Sequence, residues 1–190
     1  MACQPIRKDQ LMGTWNSRGL RGSVLEDVIN YTIEHYRDAG LAVIQKIPTP
    51  ITPIEIDKTS RHITLAYFDQ KSTVDYMGVV QGIPICFDAK ECASDTFPLQ
   101  NIHEHQTAFM RDFEKQGGIA FFILYYTGRQ EYYYLRLREM LTFWKRREAG
   151  GRKSFRLEEL DPTFFLKEKR NLIPLLEGIQ RDLNDREEDD

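Results

Sequence analysis

The sequence predicts a single three-layer α/β domain, with helices packed on both faces of a mixed β-sheet. Three observations predict it. Leu25, Val28, Ile29, Ile33 and Tyr36 recur at three- and four-residue steps, the mark of an amphipathic helix. Residues 119–126, I-A-F-F-I-L-Y-Y, form an unbroken apolar run of the kind found in a strand buried on both faces. The remaining order of helices and strands runs without a repeat or a dividing linker.

Each element has its own signal. Residues 1–15 carry no pattern and read as a mobile arm, 16–160 as the main domain, and 161–190 as a C-terminal helical extension with an acidic tail. Ser23 is the expected cap of the first helix, with Glu26 completing a capping box and Gly40 ending it. Residues 41–47 read as a strand closed by Pro48-Thr49-Pro50. On either side of the polar stretch 57–62, Ile54, Ile56, Ile63, Leu65 and Tyr67 alternate as in a β-ribbon. Strands over 73–80 and 83–91 flank Gln81-Gly82, a tight hairpin signal. A helix is expected over 101–115, a strand over 132–137 and a helix over 139–147. Gly150-Gly151-Arg152-Lys153 reads as a basic loop. Asp161-Pro162 has the chemistry of a helix start, Pro174 interrupts that last region, and 185–190 reads as a frayed tail.

Composition narrows the function only by exclusion. Apolar residues at 41% and aromatic residues at 12% are enough for a folded core. No run of eighteen apolar residues predicts a membrane span, and no apolar signal region follows Met1, so a cytoplasmic protein is expected. Cys3, Cys86 and Cys92 have neither disulfide nor zinc spacing. The net charge is −3, but the last fourteen residues hold seven acidic against two basic side chains, leaving the preceding 176 at +2. That is well short of a strongly cationic domain.

The chemistry concentrates between Ser72 and Gln106. Strand alternation puts Thr73 and Asp75 on one face of one strand, and Asp88 and Lys90 on one face of the next. Two carboxylates suit a hard divalent cation, and a lysine two residues on can stabilise charge on a phosphate. The bland alternative is a pair of strand ends carrying solvated charges. Gln106 shares a helix face with Ile102, Phe109, Met110 and Phe113, and a buried amide there needs a partner: a metal-bound water, the metal itself or a backbone carbonyl. Glu26 is a further acid that a covering helix can bring to such a site. His103 and His105, two apart on a helix, do not form a metal pair.

Several blocks in order carry a resemblance: G-S-V-L-E-D around Glu26, K-I-P-T-P at 46–50, S-T-V-D-Y-M-G-V at 72–79, F-D-A-K-E at 87–91, F-P-L-Q-N-I-H-E-H-Q at 97–106 and G-G-R-K-S at 150–154. The chain resembles RecU-type Holliday-junction resolvases over about residues 16–155. The resemblance implies a restriction-endonuclease-like fold, a homodimer, Mg2+ (with Mn2+ as a substitute) and symmetric cleavage of four-way DNA junctions. It implies a possible partnership with the strand-exchange recombinase as well. By motif it implies Thr73, Asp75, Asp88 and Gln106 as metal-site residues, Lys90 as transition-state stabiliser, and the ribbon over 52–69 as a stalk entering the junction. Arg18, Arg21, Lys58, Arg61 and Lys71 are then the expected DNA contacts. The alternatives are a junction-binding partner with little nuclease activity and a sequence-specific restriction nuclease.

Three departures stand out. The family usually has glutamate where this chain has Asp88, one methylene shorter. The long basic N-terminal arm is mostly absent, which predicts weaker phosphate binding. The acidic tail extends beyond the resemblance.

Overall fold

The computed structural model describes residues 23–68 and 73–189; Arg18, Arg21 and Lys71 lie outside the described residues. Helix α1 (Val24–Asp38) begins where predicted, with the Ser23 hydroxyl accepting the Glu26 N–H at 3.2 Å. The expected capping box is only half made, because the Glu26 carboxylate turns instead to Lys46, at 2.7 Å.

The strands follow as β1 (Ala42–Lys46), β2 (Ile51–Ile56), β3 (Ile63–Phe68), β4 (Tyr76–Val80), β5 (Ile83–Cys92), β6 (Thr96–Pro98), β7 (Ile119–Tyr126), β8 (Glu131–Arg136), β9 (Ser154–Arg156) and β10 (Phe165–Leu166). Helix α2 (Glu104–Lys115) lies between β6 and β7, α3 (Leu137–Glu148) between β8 and β9, and α4 (Leu175–Asp189) closes the chain. A six-stranded sheet runs β1-β4-β5-β7-β8-β10, parallel only between β5 and β7. The ribbon β2–β3 and the short pair β6–β9 stand apart from it.

Register decides which helices cover which face. Asp88 pairs with Phe122 and Phe122 with Leu135; Lys90 leads by the same logic to Leu124 and Tyr133. That face receives α2 through Gln106 and α3 through Glu139, whose carboxylate accepts the Tyr133 hydroxyl at 2.9 Å. The opposite face carries a row of stacked rings, Tyr76–Phe87–Phe121–Tyr134, with centres 4.7, 4.9 and 4.2 Å apart. Helices α1 and α4 cover it: Asn30 meets the Tyr76 hydroxyl at 3.2 Å and Asp182 meets that of Tyr134 at 3.0 Å. The three-layer α/β architecture is therefore the one the sequence predicts.

The β4–β5 hairpin turns on Gln81 and Gly82, both at positive φ (48° and 91°), as a two-residue turn of this hand requires. Four boundaries differ from expectation. β4 starts at Tyr76, so Thr73 and Asp75 sit in the bend before it and not on a strand. A single 3₁₀ turn (Leu99–Asn101) replaces the predicted start of α2, since Ile102 and His103 are extended. Asp161-Pro162 opens another 3₁₀ turn, and the long helix starts only after Pro174. The tail expected to fray is helical to Asp189, because Asp182, Asp185 and Arg186 find partners in Tyr134, Arg138 and Glu114. Residues beyond 160 thus supply both an edge strand and a covering helix to the same sheet.

Candidate active site at the parting of two strands

The site forms where β4 and β5 separate. Their pairing ends at Tyr76 and Phe87, but β5 continues alongside β7 to Cys92. The next edge amide on β5, the Ala89 N–H, therefore has no strand partner on that side. The Asp75 carboxylate takes it, Oδ2 accepting at 3.0 Å. The expected meeting of Asp75 with Asp88 is achieved by a bend that folds the first carboxylate over the end of the ladder, not by facing strand positions.

Asp88 is completely buried. Its Oδ1 accepts the Gln106 side-chain N–H at 3.0 Å, and its Oδ2 touches the Lys90 ammonium. Lys90 is the charged partner of Oδ2, which accepts no N–H of the described residues. Burial pushes the Asp88 carboxyl up to about 7; the Lys90 charge opposes that rise and the Asp75 charge adds to it. Lys90 keeps a fifth of its side chain exposed while its ammonium contacts the buried acid.

Gln106 is fixed at both ends. Its carbonyl accepts the His103 N–H at 3.1 Å and its amide faces Asp88, so the first turn of α2 is tied to the middle of β5. Sequence reading offered a metal-bound water, the metal itself or a backbone carbonyl as its partner; the structure gives it the His103 backbone amide and the carboxylate of Asp88, itself expected at the metal site. Thr73 stands partly buried in the bend two residues before Asp75. Lys58 and Arg61 lie exposed at the ribbon tip, where Asp57 organises the turn by accepting the Thr59 N–H at 2.8 Å. His103 is exposed and stacks on His105.

Two neighbours were missed by sequence reasoning. Lys46 at the end of β1 pairs in register with Tyr76, next to Asp75, and holds Glu26. Its signal was the K-I-P-T-P block that begins with it. Glu91, on the opposite face of β5 from Asp88, accepts the Leu25 N–H at 3.0 Å and so caps the start of α1. Glu26, Asp27 and Asp75 all lie close enough to the Tyr76 phenol to add to the effect of its burial and hold its pKa up.

The donors are all hard oxygens, with one buried carboxylate oxygen lacking a hydrogen-bond donor. This set fits a divalent cation such as magnesium, which prefers such ligands. Among the described residues no group of three or more His, Cys, Asp or Glu side chains gathers to hold a metal, so the protein offers two carboxylates and not a full cage. Magnesium sites that keep positions for water and phosphate are built in this way.

Comparison with known proteins agrees in sequence. The model of the family described as "RecU: Recombination protein U" matches residues 20–181. A Holliday junction resolvase RecU from Geobacillus sp. (strain WCH70) is 44% identical over 147 residues, covering 75% of this chain and 73% of the relative. The protein of the same description from Geobacillus kaustophilus is 45% identical over 145 residues, 74% of this chain and 72% of the relative. That of Pediococcus pentosaceus is 40% identical over 169 residues, 86% of this chain and 84% of the relative. Among the described residues no helix is long and apolar enough to cross a membrane.

Proposed function

The chain belongs to the recombination protein U family, and on that premise we propose that it is a structure-selective endodeoxyribonuclease. It resolves four-way (Holliday) DNA junctions by Mg2+-dependent hydrolysis in homologous recombination and repair. The observation that carries the reading is the completely buried Asp88, bracketed by Asp75, Lys90 and Gln106. The restriction-endonuclease-like fold implied by the sequence blocks is part of the same reading, as is the cytoplasm as the place of action.

Asp75 and Asp88 would hold magnesium, with Thr73 and Gln106 completing or orienting its surroundings; Mn2+ has the same oxygen preference and substitutes. Bound there, the ion supplies positive charge against the phosphate and makes water more acidic. The protein's own part is positioning and charge. Asp75 is oriented by the Ala89 N–H and Asp88 by the Gln106 amide, so neither carboxylate must reorganise as the phosphate arrives. Lys90, anchored on Asp88 and partly open to solvent, sets its ammonium against the negative charge that grows on the phosphate. In the hydrolysis a water oxygen bonds to phosphorus and the phosphorus–ester oxygen bond breaks. The departing oxygen takes a proton and becomes the hydroxyl end of the nicked strand. Glu26 is engaged by Lys46 and would act on this site through that pair.

Symmetric cleavage of a two-fold junction requires two related sites, which a C2 homodimer supplies. The exposed apolar side chains of the ribbon, among them Ile54, Ile56, Ile63, Leu65 and Tyr67, support an oligomer, since a monomer seldom leaves such a patch in water. Lys58 and Arg61 at the ribbon tip would meet the junction centre, with the strand-exchange recombinase as a further partner.

One observation favours a second reading, a junction-binding recombination partner with weak nuclease activity. The shorter Asp88 carboxylate has both oxygens engaged, by Gln106 and Lys90, so an ion must compete for it. One experiment separates the two. Purified protein is incubated with a four-way junction and a linear duplex, in magnesium or in EDTA. Magnesium-dependent nicks confined to the junction support the nuclease; a mobility shift without product supports the binding partner. Cutting of the linear duplex at a fixed sequence would overturn both.

A further inference from the structure

We propose that the turn ending α3 and the loop over 150–153 form a second surface for the phosphate backbone of double-helical DNA, carried by Lys145, Arg147 and Lys153. Its ligand rests on the nuclease reading above, while its geometry does not. In a chain of net charge −3, residues 145–156 hold six Lys and Arg against one Glu. A lysine and arginine pair in the last turn of a helix would be explained by the helix dipole alone. Arg152 and Lys153 lie beyond the helix and have no such explanation.

The cations are gathered by backbone geometry. Gly150 adopts φ +84°, and a Cβ on Gly151 would fall 2.8 Å from the Arg146 carbonyl oxygen, so only glycine lets the loop fold back onto the helix end. The Gly151 N–H then donates to that carbonyl at 2.9 Å. Beneath, Phe143, Phe155 and Phe97 stack with centres 4.5 and 5.1 Å apart, making the support rigid. Glu159 sorts the charges: it takes Arg146 and also Arg152, the latter at 3.0 Å. No ion pair among the described residues reaches Lys145, Arg147 or Lys153. The Arg147 guanidinium lies over the Trp144 ring, 3.9 Å from its centre, with the side chain half-buried. Both lysines are exposed. The acidic helix α4 does not neutralise this region, since its Asp185 pairs with Arg136 and Arg138 elsewhere on α3 and β8.

The surface is also wired to the site. The Lys153 carbonyl accepts the Leu99 N–H at 3.0 Å, the turn that starts at Leu99 leads to His103, and His103 holds Gln106 against Asp88. A strand whose scissile phosphate lies at Asp88 continues for many regularly spaced phosphates, and a fixed cationic patch joined to the same support is placed to track them. Exposed, unpaired lysines suit this task, because each phosphate contact gains free energy by releasing counterions.

The test compares Lys145→Gln/Lys153→Gln with Lys145→Arg/Lys153→Arg and the unaltered protein. Anisotropy titrations use a four-way junction and a linear duplex in EDTA, from 50 to 200 mM salt. The glutamine variant is expected to bind both DNAs roughly tenfold more weakly at the low-salt end, with the slope of log affinity against log salt reduced by about 1–2. The arginine variant is expected to match the unaltered protein. An unchanged affinity and slope in the glutamine variant would overturn the surface while leaving the nuclease reading intact. Equal weakening in the arginine variant would overturn it too. Weakening by glutamine alone, in a protein that never nicks, upholds the surface and removes the nuclease. Failure of the unaltered protein to bind either DNA removes both.

Discussion

The Gln106 side-chain amide donates to Asp88 across 3.0 Å, while its own carbonyl is held by the His103 N–H, so a covering helix fixes the orientation of a carboxylate buried in the sheet. Oδ2 of Asp88 already lacks a hydrogen-bond donor, and removing that amide leaves Oδ1 without one as well. Gln106→Ala is expected to destabilise the protein by about 1–3 kcal/mol, the usual consequence of an unsatisfied buried acceptor. Denaturant melts check it, and a variant as stable as the unaltered protein would show that the bond is dispensable.

Asp75→Asn keeps a carbonyl oxygen for the Ala89 N–H and removes only the charge, so the fold should survive. Nicking of a four-way junction in magnesium is expected to fall by about a hundredfold or more, in line with losing one preorganised electrostatic group. Mobility shifts should find junction affinity within about twofold. Full cleavage by this variant would remove Asp75 from the site.

The raised pKa of Asp88 has a signed consequence in metal-free protein. Its carboxyl, ordinarily near 4, is pushed up to about 7, so between those values the native state binds the proton that the unfolded state has lost. Stability contributed by this group is then lost as pH rises from about 4 to about 7. Thermal melts in EDTA should show that decline, and Asp88→Asn should flatten it. Magnesium should restore stability above pH 7 by binding the ionised form, and the restoration should be absent from the Asn variant.

Gly78→Ala tests the support beneath Lys46. A Cβ at this position would lie 2.2 Å from the Val43 carbonyl oxygen, in the middle of the β1–β4 ladder. Backbone atoms cannot give way as a flexible side chain can, so a loss of about 1–3 kcal/mol is expected. Hydrogen exchange should show faster opening of β1 than of β7. Protection of β1 equal to that of the unaltered protein would contradict the close approach.

Signals confined to a few residues were legible before the structure. The Ser23 cap, the Gln81-Gly82 turn and the buried run of β7 each depend on local backbone chemistry, and each stands where the sequence puts it. Asp75 and Asp88 were expected side by side and lie together, but not in the way expected. Strand alternation assumes that β4 reaches Asp75, whereas pairing stops at Tyr76, and nothing local marks where two strands part. Lys46 and Glu91 were missed for a similar reason. Each acts on a residue distant in the chain, Glu26 and Leu25 respectively, and only the order of strands reveals the contact. The acidic tail was misread because its partners lie on β8, α2 and α3, where no periodicity could show them.

The single parallel pair in the sheet bears on how the protein is made. Strands β5 and β7 can join only after α2 has crossed between them, so their contact waits for a long loop to close. Every residue assigned to cleavage precedes β7 in the chain, yet the burial of Asp88 depends on the strand and helices that follow it. Until those elements are in place, the groups that bury Asp88 are missing. Asp88 becomes the buried, proton-retaining group only when the second half of the polypeptide has folded onto the first. On the proposed assignment, an unfinished chain would carry the cleavage residues before the surroundings that bury Asp88 are built.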